Sequence, residues 1–475
     1  MQKRTKNGLA RPAASCGRNG ALLDKMGGCL RSLHMKAEGS MTDALRASPA
    51  APVQSTDERE PIYRRNFLVF LADYILFSIG MGLVGTTTVI PDFVRRLTDF
   101  EVLIALSSQM FEILWLLPQL LIARELVRVR NKKWWFVGPN LAARPMLVLF
   151  AGVMLLLGPD RPGALLAAFL LFYGIAALGD GVVGVPWLDL VGSSLDARRR
   201  ARLFGYGNAI VGVALLGVAP VIRWILGAEG LAFPQNYALL FALGGGLMLA
   251  TIPFTLLIKE LPGGEPRATV PSVREYLPEL GHVLRTDGPF RAMIVARLLS
   301  SLYVMAAPFY IGYGTEVLGM ESSVAVSELL VMQTIGSVAG ALLFSRLGER
   351  HLVRFIRLTM GIAIVQVTLA LSADAIGTGA LYVAFVAGGL VQGTLGISFM
   401  NWAVAYATPD QRPIYSGLLN SISAVSILSA PLIGGTLVEH LGYRAVFVAA
   451  LVAMASALWV ALRRVEAPRE AAKQA

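Results

Sequence analysis

Twelve times along this chain an apolar run of about 20 residues arrives, the length a helix needs to cross a hydrocarbon core of about 30 Å. Inside a bilayer every backbone N–H and C=O must find its partner within the protein, so runs of this length read as helices. They are predicted at 66–90, 101–123, 134–158, 163–190, 203–227, 236–258, 291–314, 323–345, 352–373, 378–406, 414–436 and 441–462. Of 475 residues, 55% are hydrophobic and 15% charged, whereas soluble domains are about a quarter charged. The chain reads as an all-α integral membrane protein.

The gaps between spans are mostly short and carry helix-ending residues, such as Gly158-Pro159-Asp160 and Pro409-Asp410. One linker, 259–290, is longer. It contains "SVREYLPELGHVLR", where Ser272 and Glu275 have capping-box spacing and Val273, Tyr276, Leu277, Leu280 and Leu284 form one apolar face, so a helix lying on the membrane surface is expected. With both termini on one side, the loops of that side and the tail hold 23 Lys and Arg, and the opposite loops hold only Arg95, Arg96, Arg161 and Arg444. By the positive-inside rule both termini are cytoplasmic, and a plasma (inner) membrane is expected. The net charge of +11 then follows from topology and from attraction to anionic lipids, with no nucleic-acid partner needed.

Residues 1–60 read as a disordered basic tail, with Met41 an alternative start. Both cysteines, Cys16 and Cys29, lie there, so no disulfide or thiolate metal site is expected in the body. The four histidines, His34, His282, His351 and His440, lack metal-pair spacing, and no metal or other cofactor is expected.

An internal repeat orders the spans. "DARRRARLFGYGNAI" (196–210) and "DQRPIYSGLLNSI" (410–422) both run from Asp through Arg to Gly-x-x-Asn, with Trp187 and Trp402 upstream of each. Likewise "LLIARELVRVRNKK" (120–133) and "LLFSRLGERHLVR" (342–354) follow the second span of each half. An offset of about 220 residues divides the chain into two parallel six-helix repeats. The expected organisation is a tail (1–60), an N-terminal half (61–258), a cytoplasmic linker (259–290), a C-terminal half (291–465) and a short tail (466–475).

Two six-span halves with basic turns after the second and eighth spans resemble the major facilitator superfamily of secondary transporters. The resemblance rests on "ALLFSRLGER", which keeps Leu343, Arg346, Gly348 and Arg350 of the family's turn but has Ala341 and Ser345 for its Gly and Asp; Ala123 and Val127 depart further in the first copy. "TTTVIPDFVRRLT", "LLPQLLIAR" and "RLFGYGN" are similar to a bacterial branch of unassigned substrate. The resemblance implies alternating access around a central cavity, with Arg124, Arg198, Arg346, Gly348, Arg350 and Arg412 in turns that either close the cytoplasmic end or serve topology alone. Gly205 and Gly417 open spans five and eleven, where close helix approach is expected, and Asn208 and Asn420 are placed to bond a neighbouring helix.

Intramembrane charges are costly in lipid and so point to mechanism. Glu112, Arg144 and Asp180 all fall near the midplane; one carboxylate is expected to pair with Arg144 and the other to carry a proton, unless the group is a structural lock. Asp73 and Arg297 occupy matched depths on the first span of each half and are expected to meet across the pathway. Gln109, Tyr173, Tyr303, Tyr310, Gln392 and Asn401 are candidates for the cavity lining.

There is no G-x-x-x-x-G-K and no G-x-S-x-G, which argues against an ATP-driven pump and an intramembrane hydrolase. The sequence therefore predicts a monomeric, proton-coupled secondary transporter of a small organic solute, not an enzyme, whose few cavity charges lean to efflux. A non-transporting sensor or scaffold of the same fold is the alternative.

Overall fold

The computed structural model describes residues 56–126, 129, 131–195, 197–227, 231–260, 281, 284–344, 347, 351–406 and 412–466. The N-terminal tail to residue 55, nearly all of the proposed surface helix in the linker, and Arg346, Gly348 and Arg350 lie outside them. Among the described residues, eleven helices are long and apolar enough to cross a membrane: α1 (Glu60–Arg95), α3 (Lys133–Leu157), α4 (Pro162–Ser194), α5 (Arg202–Leu226), α6 (Gln235–Leu257), α7 (Gly288–Val317), α8 (Ser322–Leu343), α9 (Leu352–Ile376), α10 (Gly379–Ala403), α11 (Ser423–Leu441) and α12 (Tyr443–Arg464). The remaining expected span, α2, is cut at Leu117-Pro118 into Glu101–Leu116 and Gln119–Leu126, so neither piece alone has the length. Proline supplies no N–H to the helix ladder, which is why the break falls there.

α1 breaks as well. The helix ends at Val84 and resumes at Val89, with Gly85 at φ +54 between them. A side chain would clash there, since a Cβ would lie 2.7 Å from Thr88 Oγ1. In the other half α7 becomes irregular from Tyr303 to Val317 around Pro308, passing through a 3₁₀ turn and a π turn. The break in α1 and the irregular stretch in α7 fall at corresponding depths of the two repeats.

Packing within each half relies on small residues that let backbones touch. Cβ atoms at Gly80 and Gly244 would lie 2.7 and 2.8 Å from each other's carbonyl oxygens, joining α1 to α6. α8 and α10 are closer still, with Gly336 and Gly389 each leaving 1.9 Å between a Cβ and the facing backbone oxygen. In the N-terminal half Phe93, Phe150, Phe169 and Phe241 pack edge-on and tilted with centroids 5.2–6.1 Å apart. Tyr173 stacks on Phe169 at 5.1 Å. Across the halves, α5 packs on α8 and α2 on α11.

Candidate functional site

The interrupted helices α1 and α7 meet a cavity of about 350 Å³ lying between the halves. α1 contributes Thr86 and Thr87 from its break; α2 contributes Ser108, Gln109 and Glu112; α7 contributes Arg297, Ser300, Ser301, Tyr303 and Tyr310. Gln333 of α8, Gln366 of α9 and Gln392 of α10 complete the polar lining. Irregular backbone at membrane depth is tolerated where it borders a cavity, which fits both interruptions.

Five neutral groups of the lining bond one another, while the Tyr310 hydroxyl is buried with no partner among the described residues. The Gln333 amide donates to Gln392 Oε1 at 2.7 Å, Thr87 donates to Gln333 Oε1 at 3.4 Å, and the Tyr303 hydroxyl donates to Gln366 Oε1. The two charged groups differ. Arg297 donates Nε to Ser423 Oγ at 2.8 Å and lays its guanidinium 5.0 Å from the Phe399 ring centroid. Glu112 is exposed in the cavity and interacts electrostatically with Arg297, yet no direct ion pair joins them.

A second charged group is closed within the N-terminal half. Arg144 sits where α3 is interrupted ahead of Pro145; its Nη2 lies 3.2 Å from Asp180 Oδ1 and its Nε donates to Asn140 Oδ1 at 2.9 Å. The guanidinium lies 4.4 Å from the Phe77 ring centroid. Asp73 joins this group electrostatically, accepts a hydrogen bond from Trp187 Nε1 at 2.9 Å and interacts with the Thr251 hydroxyl, while its Oδ1 is buried without a hydrogen bond of normal geometry among the described residues. One guanidinium thus faces two carboxylates.

Several placements differ from the sequence reading. Asp73 and Arg297 are not brought together: a difference in facing around the helix axis carries Asp73 toward α4 and its tryptophan, whereas Arg297 faces the cavity and α11. Arg144 takes Asp180, and Glu112 is left to the cavity. Tyr173 does not line the cavity, because stacking on Phe169 buries it in the aromatic core, and Asn401 lies outside the lining too, on an exposed face of α10. Gly205 has open space around it; the close approach occurs at Gly207, whose Cβ would lie 2.6 Å from the Tyr74 ring. Asn208 does reach a neighbouring helix, accepting from the Tyr74 hydroxyl at 2.7 Å. The side-chain surroundings of Arg124, Arg198, Arg412 and Asn420, and the packing at Gly417, are outside the described residues.

Gln333 and Gln366 escape the sequence reading although they are the same kind of signal as Gln109 and Gln392, an amide in an apolar span. Arg95 and Arg96 enter the sequence reading only through topology, but they anchor the end of the bundle away from the chain termini. Arg95 lies 2.7 Å from Glu101 and 3.0 Å from Glu316 of the other half, and Glu316 also accepts from Tyr443 at 2.8 Å. Asp92 accepts from Ser322 across the halves at 2.7 Å and from Tyr237 within its own half, and Tyr237 in turn accepts from Arg96 Nε at 2.9 Å. Arg223 of α5 pairs with Glu328 of α8 at 2.7 Å.

Residues 290–475 match the model of the Major Facilitator Superfamily. Among solved structures with the same fold is a point mutant of the nucleoside transporter NupG, with 13% identity, a TM-score of 0.65 and coverage of 85% of this chain and 100% of that one. A D-xylose-proton symporter matches with 15% identity, a TM-score of 0.61 and coverage of 85% and 98%. A bacterial homologue of the iron transporter ferroportin, in an inward-facing state, matches with 15% identity, a TM-score of 0.60 and coverage of 84% and 98%. At these identities the likeness is one of fold.

Proposed function

We propose that the chain is a Major Facilitator Superfamily transporter, and not an enzyme, that works by alternating access; the match of residues 290–475 to that family's model and the shared fold support the reading. A small solute binds in the cavity between the halves, and the pathway opens at one end of the bundle and then at the other. The observation that carries the reading is that bonds between the halves gather directly beyond the cavity, at the end of the bundle opposite the close of α12. By the distribution of basic residues that end is extracytoplasmic, both termini are cytoplasmic, the membrane is the plasma membrane and the basic end meets anionic lipids. A monomer suffices, because the cavity is built from one chain.

Proton coupling belongs to the same reading and is assigned to the Asp73, Arg144 and Asp180 group. A single guanidinium compensates one of two carboxylates, and the Oδ1 of Asp73 is the natural seat of an exchangeable proton. The lean to efflux belongs to the same reading and rests on a cavity whose lining carries few charges and is largely apolar.

The test is transport in proteoliposomes, with a solute first identified by its thermal stabilisation of the purified protein. Asp73→Asn is expected to abolish accumulation driven by a pH gradient while sparing solute exchange, which needs no net proton release. Wild-type transport indifferent to an imposed pH gradient would eliminate the proton from the mechanism.

A further inference from the structure

The two charged groups of the bundle are built differently, and the difference bears on the substrate. In the closed group Arg144 touches Asp180 directly and commits a second nitrogen to Asn140. In the cavity Glu112 makes no ion pair with any described residue, and Arg297 commits only Nε, to Ser423, while Phe399 fixes the plane of its guanidinium. An acid and a base thus face one space, near enough to interact and too far apart to neutralise each other by contact.

We propose that the cavity binds a zwitterion, a small solute whose cationic group is received by Glu112 and whose anionic group is received by Arg297. This rests on the transporter reading above and names its substrate class. A solute with a single positive charge would satisfy Glu112 and leave Arg297 facing an added like charge, and a single negative charge would do the reverse. A zwitterion supplies a partner to both without changing the net charge of the cavity, where an ion without a partner is costly in proportion to its desolvation. A neutral polyol is disfavoured for a different reason. Of the neutral lining, Gln333 is already bonded to Gln392 and Tyr303 to Gln366, which leaves a polyol mainly the Tyr310 hydroxyl and the small side chains, whereas the two charged groups make no contact with each other. At about 30 Å³ for each heavy atom, as in liquid water, about 350 Å³ holds about a dozen such atoms, which sets the size of an amino acid or small dipeptide.

The experiment is a thermal-unfolding series on the purified full-length protein. The probes are γ-aminobutyrate and 6-aminohexanoate, which differ in charge separation, against the matched butylamine, butyrate, hexylamine and hexanoate and against xylitol. At least one zwitterion is expected to raise the unfolding midpoint by about 2 °C or more at saturation, with its matched monoamine and monocarboxylate giving no shift. Glu112→Gln and Arg297→Gln should each remove that shift while retaining a cooperative unfolding transition; Arg297→Lys, which keeps the charge, should retain part of it. The assignment is overturned if no zwitterion shifts the wild type, if a singly charged analogue or xylitol does as well as the best zwitterion, or if the shift survives in both Gln variants. A failure here is separable from a failure of alternating access, which is measured without any ligand by the distances described at the end of the Discussion.

Discussion

Among the described residues, two sets of polar side chains at the ends of the bundle do different work. Away from the termini, Ser322 to Asp92, Arg95 to Glu316 and Arg223 to Glu328 each join one half to the other. Near the end of α12 several bonds join residues of the same half: Asn66 with Lys259, Lys132 with Asp189, Arg200 with the Gly192 carbonyl, and Arg357 with the carbonyls of Ala461 and Val465. Asp287 illustrates the second pattern most fully, accepting from the Phe290 N–H at 3.0 Å and from the hydroxyls of Tyr406 and Tyr415 at 2.8 and 2.9 Å. Bonds within a half hold a rigid body together. Bonds between halves set which conformation the two bodies adopt, and a modest change there moves a population rather than unfolding a domain.

That distinction orders the expected effects. Asp287→Ala removes the N-cap of α7 and one hydrogen bond from each of two tyrosine hydroxyls, so a loss of about 2–4 kcal/mol in the stability of the C-terminal half is expected. Thermal unfolding should report it, with no change in which end is open; a shift in accessibility without destabilisation would blur the comparison. Ser322→Ala deletes a bond to the Asp92 carboxylate, worth about 1.5–3 kcal/mol, and a longer 3.5 Å bond accepted from Arg96, both across the halves. It should leave the unfolding midpoint nearly unchanged and shift the conformational equilibrium about tenfold or more, since about 1.4 kcal/mol is a factor of ten. Labelling of cysteines placed in the cavity, from each side of the membrane, measures that shift. Arg223→Gln is expected to act in the same direction but by less than about 1 kcal/mol, because the arginine is 55% exposed and its pair with Glu328 is screened. Equal effects from Ser322→Ala and Arg223→Gln would mean that burial does not grade these contacts.

Much of the fold is legible because hydrophobic run length is a one-dimensional signal: the spans found at α3, α4 and α9 begin within a residue of those read from the sequence. The duplicated Gly-x-x-Asn and Arg turns make the six-helix repeat readable too. What escapes is direction around each helix axis. Asp73 and Arg297 stand at matched depths, yet a difference in facing sends one to Trp187 and the other to the cavity. Tyr173 and Tyr303 look alike in sequence; one is stacked in the aromatic core and the other bonds Gln366 at the cavity wall. Arg95 and Arg96 read as exceptions to a charge rule, because counting Lys and Arg per loop says nothing of the carboxylates and hydroxyls that come to meet them from other helices.

The measurement that tests alternating access most directly is a pair of spin-label distances on one protein with Cys16 and Cys29 replaced by serine. One pair, at Asp99 and Glu321, spans the end held by bonds between halves; the other, at Asn131 and His351, spans the end nearer the termini, and all four positions are exposed. Introducing Ser322→Ala should create a population in which the Asp99–Glu321 distance lengthens while the Asn131–His351 distance shortens. Two distances that stay fixed, or that lengthen and shorten together, would contradict an account in which the halves open one end by closing the other.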